Sequence, residues 1–177
     1  EKKYELVLDK TSFYAESGGQ IGDSGSIQNK KLYFIVEDTY KKENNICHLG
    51  YIEKGKIDSG KNSQVEVKID ENRRSKIRSN HTATHLLHKA LKNVLGEHVQ
   101  QAGSLVAEDK LRFDLTHYQK ISKNEINQIE QMVNSIVRKN ILLNINIKKY
   151  DEAKKEGALA LFGEKYEDEV RVVDISG

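Results

Sequence analysis

Residues 4–70 alternate short apolar runs with turn-forming residues, which is the pattern of a small β domain. In one of these runs Val65, Val67 and Ile69 alternate with charged residues, the period of two that a half-buried strand shows. We therefore expect this part of the chain to be a small, barrel-like β structure. Strands are predicted over residues 4–8, 32–36, 48–52 and 64–69.

Past residue 71 the apolar positions recur every three or four residues, which indicates helices. One helix is predicted over 81–95, with Ser79 or Asn80 as its N-cap. Gly96 stands where the C-terminal end of that helix favours glycine.

A second helix is predicted to begin at the capping box of Ser122 and Glu125 and to extend to Lys139. The chain thus reads as α+β, with a β-barrel-like subdomain over 1–72 and an α+β core over 73–177, in which helices pack on an antiparallel sheet. The other predicted elements are paired strands at 100–106 and 111–116, a strand at 143–147, a short helix at 151–156 and a strand at 170–175.

Composition excludes several classes of protein. Of the 177 residues 32% are charged, and no apolar run approaches the roughly 20 residues of a membrane span, so we expect neither a membrane segment nor a signal peptide. The single cysteine, Cys47, cannot form an internal disulfide, which favours the cytoplasm. A net charge of +2 excludes a strongly basic, histone-like protein, but residues 73–177 hold 18 basic against 14 acidic side chains and favour a polyanionic partner.

Two histidines form the strongest candidate constellation. His81 and His85 are four residues apart on the predicted helix, so both rings point the same way and can bind one metal ion. Two ligands do not complete a tetrahedral zinc site, and packing histidines are the more common case. A zinc protease is excluded, because Thr82 occupies the position of that motif's catalytic Glu.

The segment 17–25 holds four glycines in nine residues, which no regular element tolerates. It lacks the Lys-Ser/Thr ending of a phosphate-binding P-loop, so a tight turn is the better interpretation. Basic residues at 73–78 run into the histidine helix and can meet phosphates, although a solvated charged face is as common. The residues singled out are Gly18, Gly19, Gln20, Gly22 and Asp23 in the loop and Arg73, Arg74 and Arg78 in the basic run.

Blocks of residues spread over nearly the whole chain are similar to a known family. They are Phe-Tyr-Ala-Glu-Ser-Gly-Gly-Gln from residue 13, Asn-His-Thr-Ala-Thr-His-Leu-Leu-His from residue 80, Gln-Ala-Gly-Ser-Leu-Val from residue 101 and Gly-Ala-Leu-Ala-Leu-Phe-Gly-Glu-Lys-Tyr from residue 157. In this order they resemble the editing region of alanyl-tRNA synthetase. Related free-standing editing proteins usually carry Pro where this chain has Ala15, so the resemblance favours a piece of the synthetase itself.

The resemblance implies hydrolysis of the ester that joins serine or glycine to tRNA(Ala). A pocket that selects alanine discriminates poorly against both amino acids, so a second site must remove them. It also implies a zinc ion bound by His81 and His85 together with a Cys and a His from a Cys-Gly-Gly-Thr-His motif, which this sequence lacks. Gln101 and Thr84 are expected to line the pocket as its catalytic residues, and the three arginines to approach the tRNA.

In the parent synthetase, ATP and Mg²⁺ would serve the charging of tRNA(Ala) with alanine; neither DNA nor a membrane is an expected partner. Two alternatives remain open. The first alternative is a non-catalytic module that binds the tRNA acceptor end, in which the histidines are packing residues. The second is a free-standing trans-editing aminoacyl-tRNA deacylase.

Overall fold

A computed structural model describes residues 2–57, 63–158 and 167–175. Most of the resemblance block that begins at residue 157 lies outside this part of the chain. No helix within the described residues is both long enough and apolar enough to span a bilayer.

The N-terminal part of the chain forms one five-stranded antiparallel sheet. Its longest strands pair as a hairpin, and in one of them Leu32, Phe34 and Val36 are buried while the residues between them are partly exposed. This alternation places one face on the core, which Phe13 and Ile27 complete. The strands, in the spatial order β1-β4-β3-β2-β5, are β1 (Tyr4–Val7), β2 (Gly25–Asn29), β3 (Leu32–Lys42), β4 (Asn45–Gly55) and β5 (Glu66–Ile69).

The predicted closure into a barrel is not confirmed. In the described residues the sheet is open, with β1 and β5 at its edges and only four residues in each. Strand β2 was missed by the pattern, because its buried residues Ser26 and Ile27 are adjacent and do not alternate. It nevertheless pairs on both sides, with β3 and with β5.

The histidine-bearing helix, α1 (Glu71–Leu95), begins ten residues earlier than predicted. Asp70 caps it by accepting the Arg73 N–H at 2.9 Å, so the expected caps Ser79 and Asn80 are wrong. The error has a physical cause: the first turns bury a single apolar side chain, Ile77, and show no apolar stripe. The predicted end is confirmed, since Gly96 follows with φ 114°.

The second half of the fold agrees more closely with the pattern. Ser122 accepts the Glu125 N–H, and the Glu125 carboxylate accepts the Ser122 N–H, so the predicted capping box is confirmed. Ala90, Leu91, Val99 and Ile129 form a second buried cluster. The elements are β6 (Gln101–Val106), β7 (Leu111–Leu115), α2 (Lys123–Arg138), β8 (Asn144–Lys149), α3 (Tyr150–Lys155) and β9 (Glu169–Asp174), with β6 paired to β7 and β8 paired antiparallel to β9.

The chain divides into two compact units. The first unit comprises residues 1–81 and 105–111, and the second comprises 82–104 and 112–177. Helix α1 contributes residues to both, so the two candidate zinc ligands are assigned to different units although they share one helix.

Candidate functional site

The Gly-Gly pair makes a two-residue hairpin turn. Ser17 and Gln20 exchange both backbone hydrogen bonds, at 3.1 and 3.0 Å. Between them Gly18 and Gly19 have φ values of 59° and 81°, the two positive angles that a type I′ turn requires. The predicted tight turn is therefore confirmed. It fixes the backbone of Gln20 opposite that of Ser17.

Two further contacts hold this hairpin, the glycine loop (residues 17–23), in place within the first unit. The Val106 N–H donates to the Gly19 carbonyl at 2.8 Å, and the Ile21 N–H donates to the Val106 carbonyl at 3.1 Å. At Gly22 a Cβ would lie 1.9 Å from the Thr39 carbonyl oxygen, so no other residue fits there without moving the backbone.

Asp23 is the buried anchor of the loop, with 2% of its surface exposed. Its carboxylate accepts the Tyr14 N–H at 2.6 Å and the Arg74 Nε–H at 3.2 Å, and it forms an ion pair with the Arg74 Nη2. Hydrogen bonding to Asp23 raises the pKa of the Arg74 guanidinium. The Thr39 hydroxyl donates to the Asp23 carbonyl at 2.8 Å, so the residue is bonded through both its side chain and its backbone.

Both arginines at the start of α1 thus bind the loop. Arg74 also donates to the Ser12 carbonyl at 2.8 Å, while Arg73 donates to the Gly22 carbonyl at 2.7 Å and lies 3.3 Å from the Glu108 carboxylate. The structure therefore gives Arg73 and Arg74 an internal role that the basic run did not suggest. Their approach to tRNA stays a prediction, as does that of Arg78, whose side chain is exposed on the same helix.

His81 is the second point at which the loop meets α1. Its Nδ1 lies 2.6 Å from the Gln20 Oε1. Because His81 follows Arg74 by seven residues, two helical turns, both side chains project from one face of the helix. Gln20 and His81 are 61 residues apart, and no local signal in the sequence links them.

The other predicted zinc ligand, His85, follows one turn later on α1 and is half-buried. The expected spacing of the pair on one continuous helix is confirmed. Among the described residues no group of three or more His, Cys, Asp or Glu side chains is arranged to hold a metal ion. Thr84, beside them on the helix, is 2% exposed.

In the second unit two side chains have buried polar atoms that are incompletely bonded. Gln101, at the start of β6, donates to the Ser104 hydroxyl at 3.3 Å, but its buried Oε1 accepts no hydrogen bond within the described part of the chain. His88 is 5% exposed, and neither of its ring nitrogens makes a hydrogen bond of normal geometry there. Its ring centroid lies 5.1 Å from that of Phe113, and burial, followed by the charge of Lys92, lowers the pKa of the imidazole, although an interaction with the Val99 backbone acts in the opposite direction.

Comparison with known proteins adds to this geometry. The family model for class II (A) tRNA synthetases matches residues 1–73. The chain is 53% identical over 170 residues to the alanine–tRNA ligase of Thermoanaerobacter sp. (strain X514), which covers 96% of this chain and 19% of that relative.

Two other ligases give the same picture. The alanine–tRNA ligase of Clostridioides difficile (strain 630) is 50% identical over 174 residues, and that of Fervidobacterium nodosum (strain ATCC 35602 / DSM 5306 / Rt17-B1) is 53% identical over 173. These matches cover 98% and 97% of this chain and 20% of each relative. The chain therefore belongs to the alanine–tRNA ligase family, as a segment that spans about one fifth of the relatives' length.

Proposed function

We propose that this segment edits tRNA(Ala), hydrolysing the ester that joins serine or glycine to the tRNA. The observation that carries the proposal is the histidine pair on α1, in a chain whose relatives are alanine–tRNA ligases. A pocket built for alanine cannot strongly reject glycine, which is smaller, or serine, which only adds a hydroxyl. A ligase for alanine therefore benefits from a second, hydrolytic site.

The residues present fit part of a zinc site. His81 and His85 offer two imidazoles on one helix face, and the carbonyl of Gln20 on the His81 ring is the kind of partner that metal-bound histidines have. The remaining ligands would come from outside the described residues, as the Cys-Gly-Gly-Thr-His motif of the resemblance implies. When bound, zinc would polarise or position the ester.

Gln101 and Thr84 are proposed to line the pocket. The Gln101 Oε1 is a buried acceptor that lacks a donor within the described residues, which suits a hydroxyl or ammonium group of a mischarged amino acid, or the attacking water. A site that bonds a serine hydroxyl in this way separates serine from alanine far better than pocket size can.

The partner on this proposal is tRNA(Ala), met by Arg78 and by the positive charge of Arg73 and Arg74. ATP and Mg²⁺ would be used by other parts of the ligase, and the cytoplasm is the proposed location. The rival proposal is a module that binds the tRNA acceptor end without catalysis. The internal bonding of Arg73 and Arg74 bears equally on tRNA contact in both proposals, so deacylation is what separates them.

Deacylation of Ser-tRNA(Ala) by the full-length ligase that contains this segment tests the proposal. We expect His81→Ala and Gln101→Ala to lose most of the deacylation rate while charging with alanine is unchanged. Gln28→Ala is the matched control, since Gln28 pairs with Glu66 on the β sheet. Unchanged deacylation in both site variants contradicts the editing proposal, and if Arg78→Ala then weakens tRNA binding, the binding module is the better account.

A further inference from the structure

The hydrogen bond from His81 to Gln20 determines which ring nitrogen carries the proton. A carbonyl oxygen can only accept, so the Nδ1 of His81 must donate across the 2.6 Å to the Gln20 Oε1. In the neutral ring the electron pair then resides on Nε2. A metal ion binds the nitrogen that holds the electron pair, and this bond therefore selects Nε2.

We propose that Gln20 is a positioning residue, which holds His81 in the Nδ1–H tautomer and fixes the ring so that Nε2 is the metal-binding atom. This inference rests on the proposed function for its metal, but the tautomer itself can be observed without one. The Gly-Gly-Gln sequence then does more than reverse the chain. The two glycines allow the turn, and the turn places the Gln20 amide oxygen against α1.

The support for Gln20 is rigid, which a positioning residue requires. The backbone of Gln20 is fixed to Ser17, and its neighbours on both sides are fixed to Val106. Three residues further on, the buried ion pair of Asp23 with Arg74 fastens the loop to α1 two turns before His81. The loop is thus held to the helix at one point by charge and at another by the Gln20 amide.

The same unit contains a histidine that serves as an internal reference. His48 is fully buried, with its Nδ1 2.9 Å from the Leu6 carbonyl and its Nε2 2.8 Å from the Thr11 hydroxyl. By the same argument Nδ1 carries the proton in His48 too. Its tautomer depends on backbone and Thr11 rather than on Gln20, so it reports whether the fold of a variant is intact.

The experiment is long-range ¹H–¹⁵N NMR of the ring nitrogens in the 177-residue chain, at a pH where the imidazoles are neutral. We expect the Nδ1–H tautomer for His81 in the wild type and a mixture of tautomers in Gln20→Met, which keeps the length of the side chain without the acceptor. Gln20→Glu restores an acceptor and should restore the tautomer. Gln28→Met is the matched control, and His48 should stay unchanged in every variant.

A titration with Zn²⁺, followed through the His81 and His85 ring signals, then tests the link to the metal. Loss of a partner of this kind typically weakens metal binding by about 10- to 100-fold, which we expect for Gln20→Met and not for Gln20→Glu or Gln28→Met. An Nε2–H tautomer in the wild type, or an unaltered tautomer in Gln20→Met, overturns the proposal.

Two further outcomes separate this inference from the proposed function. Equal zinc affinity of the wild type and Gln20→Met, with the tautomer altered as expected, overturns the positioning role toward the metal but leaves the zinc site intact. If the wild type shows the expected tautomer and His85 alone responds to Zn²⁺, Nε2 of His81 is not a metal-binding atom, and that outcome also overturns the inference. The rate of Ser-tRNA(Ala) deacylation by the ligase is measured separately, and it tests the proposed function alone.

Discussion

Two buried polar side chains in the first unit differ from two buried polar sites in the second in how fully they are hydrogen-bonded. In the first unit Asp23 and His48 are almost fully enclosed, and every bond their side chains require is made within the described residues. In the second unit His88 and the Gln101 Oε1 are also enclosed but lack hydrogen bonds there. A buried group whose hydrogen bonds are all made within the protein stabilises the fold. A buried group that lacks hydrogen bonds gains most from a substrate group or water. Asp23 and His48 therefore stabilise the fold of the first unit, whereas His88 and the Gln101 Oε1 are the groups that would gain from a ligand on the proposed function.

The largest expected effect comes from removing Arg74, the charged partner of the buried Asp23 carboxylate. Arg74→Met leaves the Asp23 carboxylate buried without its charged partner, and uncompensated burial of this kind costs about 3 kcal/mol or more. We expect the urea midpoint of unfolding to fall accordingly, and the His81 ring signals to broaden as the loop loosens.

The control for this variant is an exposed ion pair. Arg112 and Asp114 are paired at the surface, where solvent screens the interaction, so Arg112→Met should leave the midpoint nearly unchanged. Equal losses in the two arginine variants would show that Asp23 does not depend on Arg74, and the stabilising role given to Asp23 in the first unit would be wrong.

The next largest effect on stability is expected from the turn between Ser17 and Gln20. Gly19 has φ 81°, a region that costs a residue with a Cβ about 1–2 kcal/mol, so Gly19→Ala should lower the free energy of unfolding by that amount. Gly19→Asn is the matched control, because Asn adopts this conformation at lower cost. If the two variants are equally stable, the positive φ is not what the position requires.

The elements with a regular apolar period were predictable from sequence, and those without one were not. The capping box of Ser122 and Glu125 and the glycine after α1 gave correct ends because their signals are local. The start of α1 failed because its first turns bury only Ile77, and β2 failed because Ser26 and Ile27 are buried side by side. For β2 the neighbouring strands, which are distant in sequence, determine the structure. For α1 the Asp70 cap is a local signal, but no apolar stripe follows it to mark the helix.

The same limit applies to the candidate site. The spacing of His81 and His85 was visible because a helix fixes it. Gln20 was singled out as part of a glycine motif, but its hydrogen bond to His81 depends on how the loop folds back on α1. The basic run shows a related limit, since the charge of Arg73 and Arg74 gave no sign of their internal partners, Gly22 and Asp23.

Acid should weaken both units through their buried histidines. Burial lowers the pKa of His48, as it does that of His88, from the ordinary value of 6.5. Below pH 6.5 the unfolded chain therefore binds protons that the folded chain does not, and the free energy of unfolding falls as the pH falls. A proton that binds the unfolded chain alone is worth at most about 1.4 kcal/mol per pH unit. Urea unfolding at a series of pH values measures the slope, and His88→Leu should make it shallower without abolishing it, because His48 remains.

At neutral pH the same His88→Leu variant gives the smallest expected effect, and its sign is what matters. If the imidazole is buried without hydrogen bonds, an apolar side chain of similar volume that packs on Phe113 should raise the free energy of unfolding by up to about 1 kcal/mol. Arg74→Met changes stability in the other direction, so one urea experiment on both variants tests the contrast between the units. A loss of stability in His88→Leu would mean that this ring is bonded in solution as thoroughly as Asp23, and the contrast would then rest on Gln101 alone. A gain would mark His88 as a residue that the fold alone does not require, and Ser-tRNA(Ala) deacylation by the same variant of the ligase would show whether function requires it.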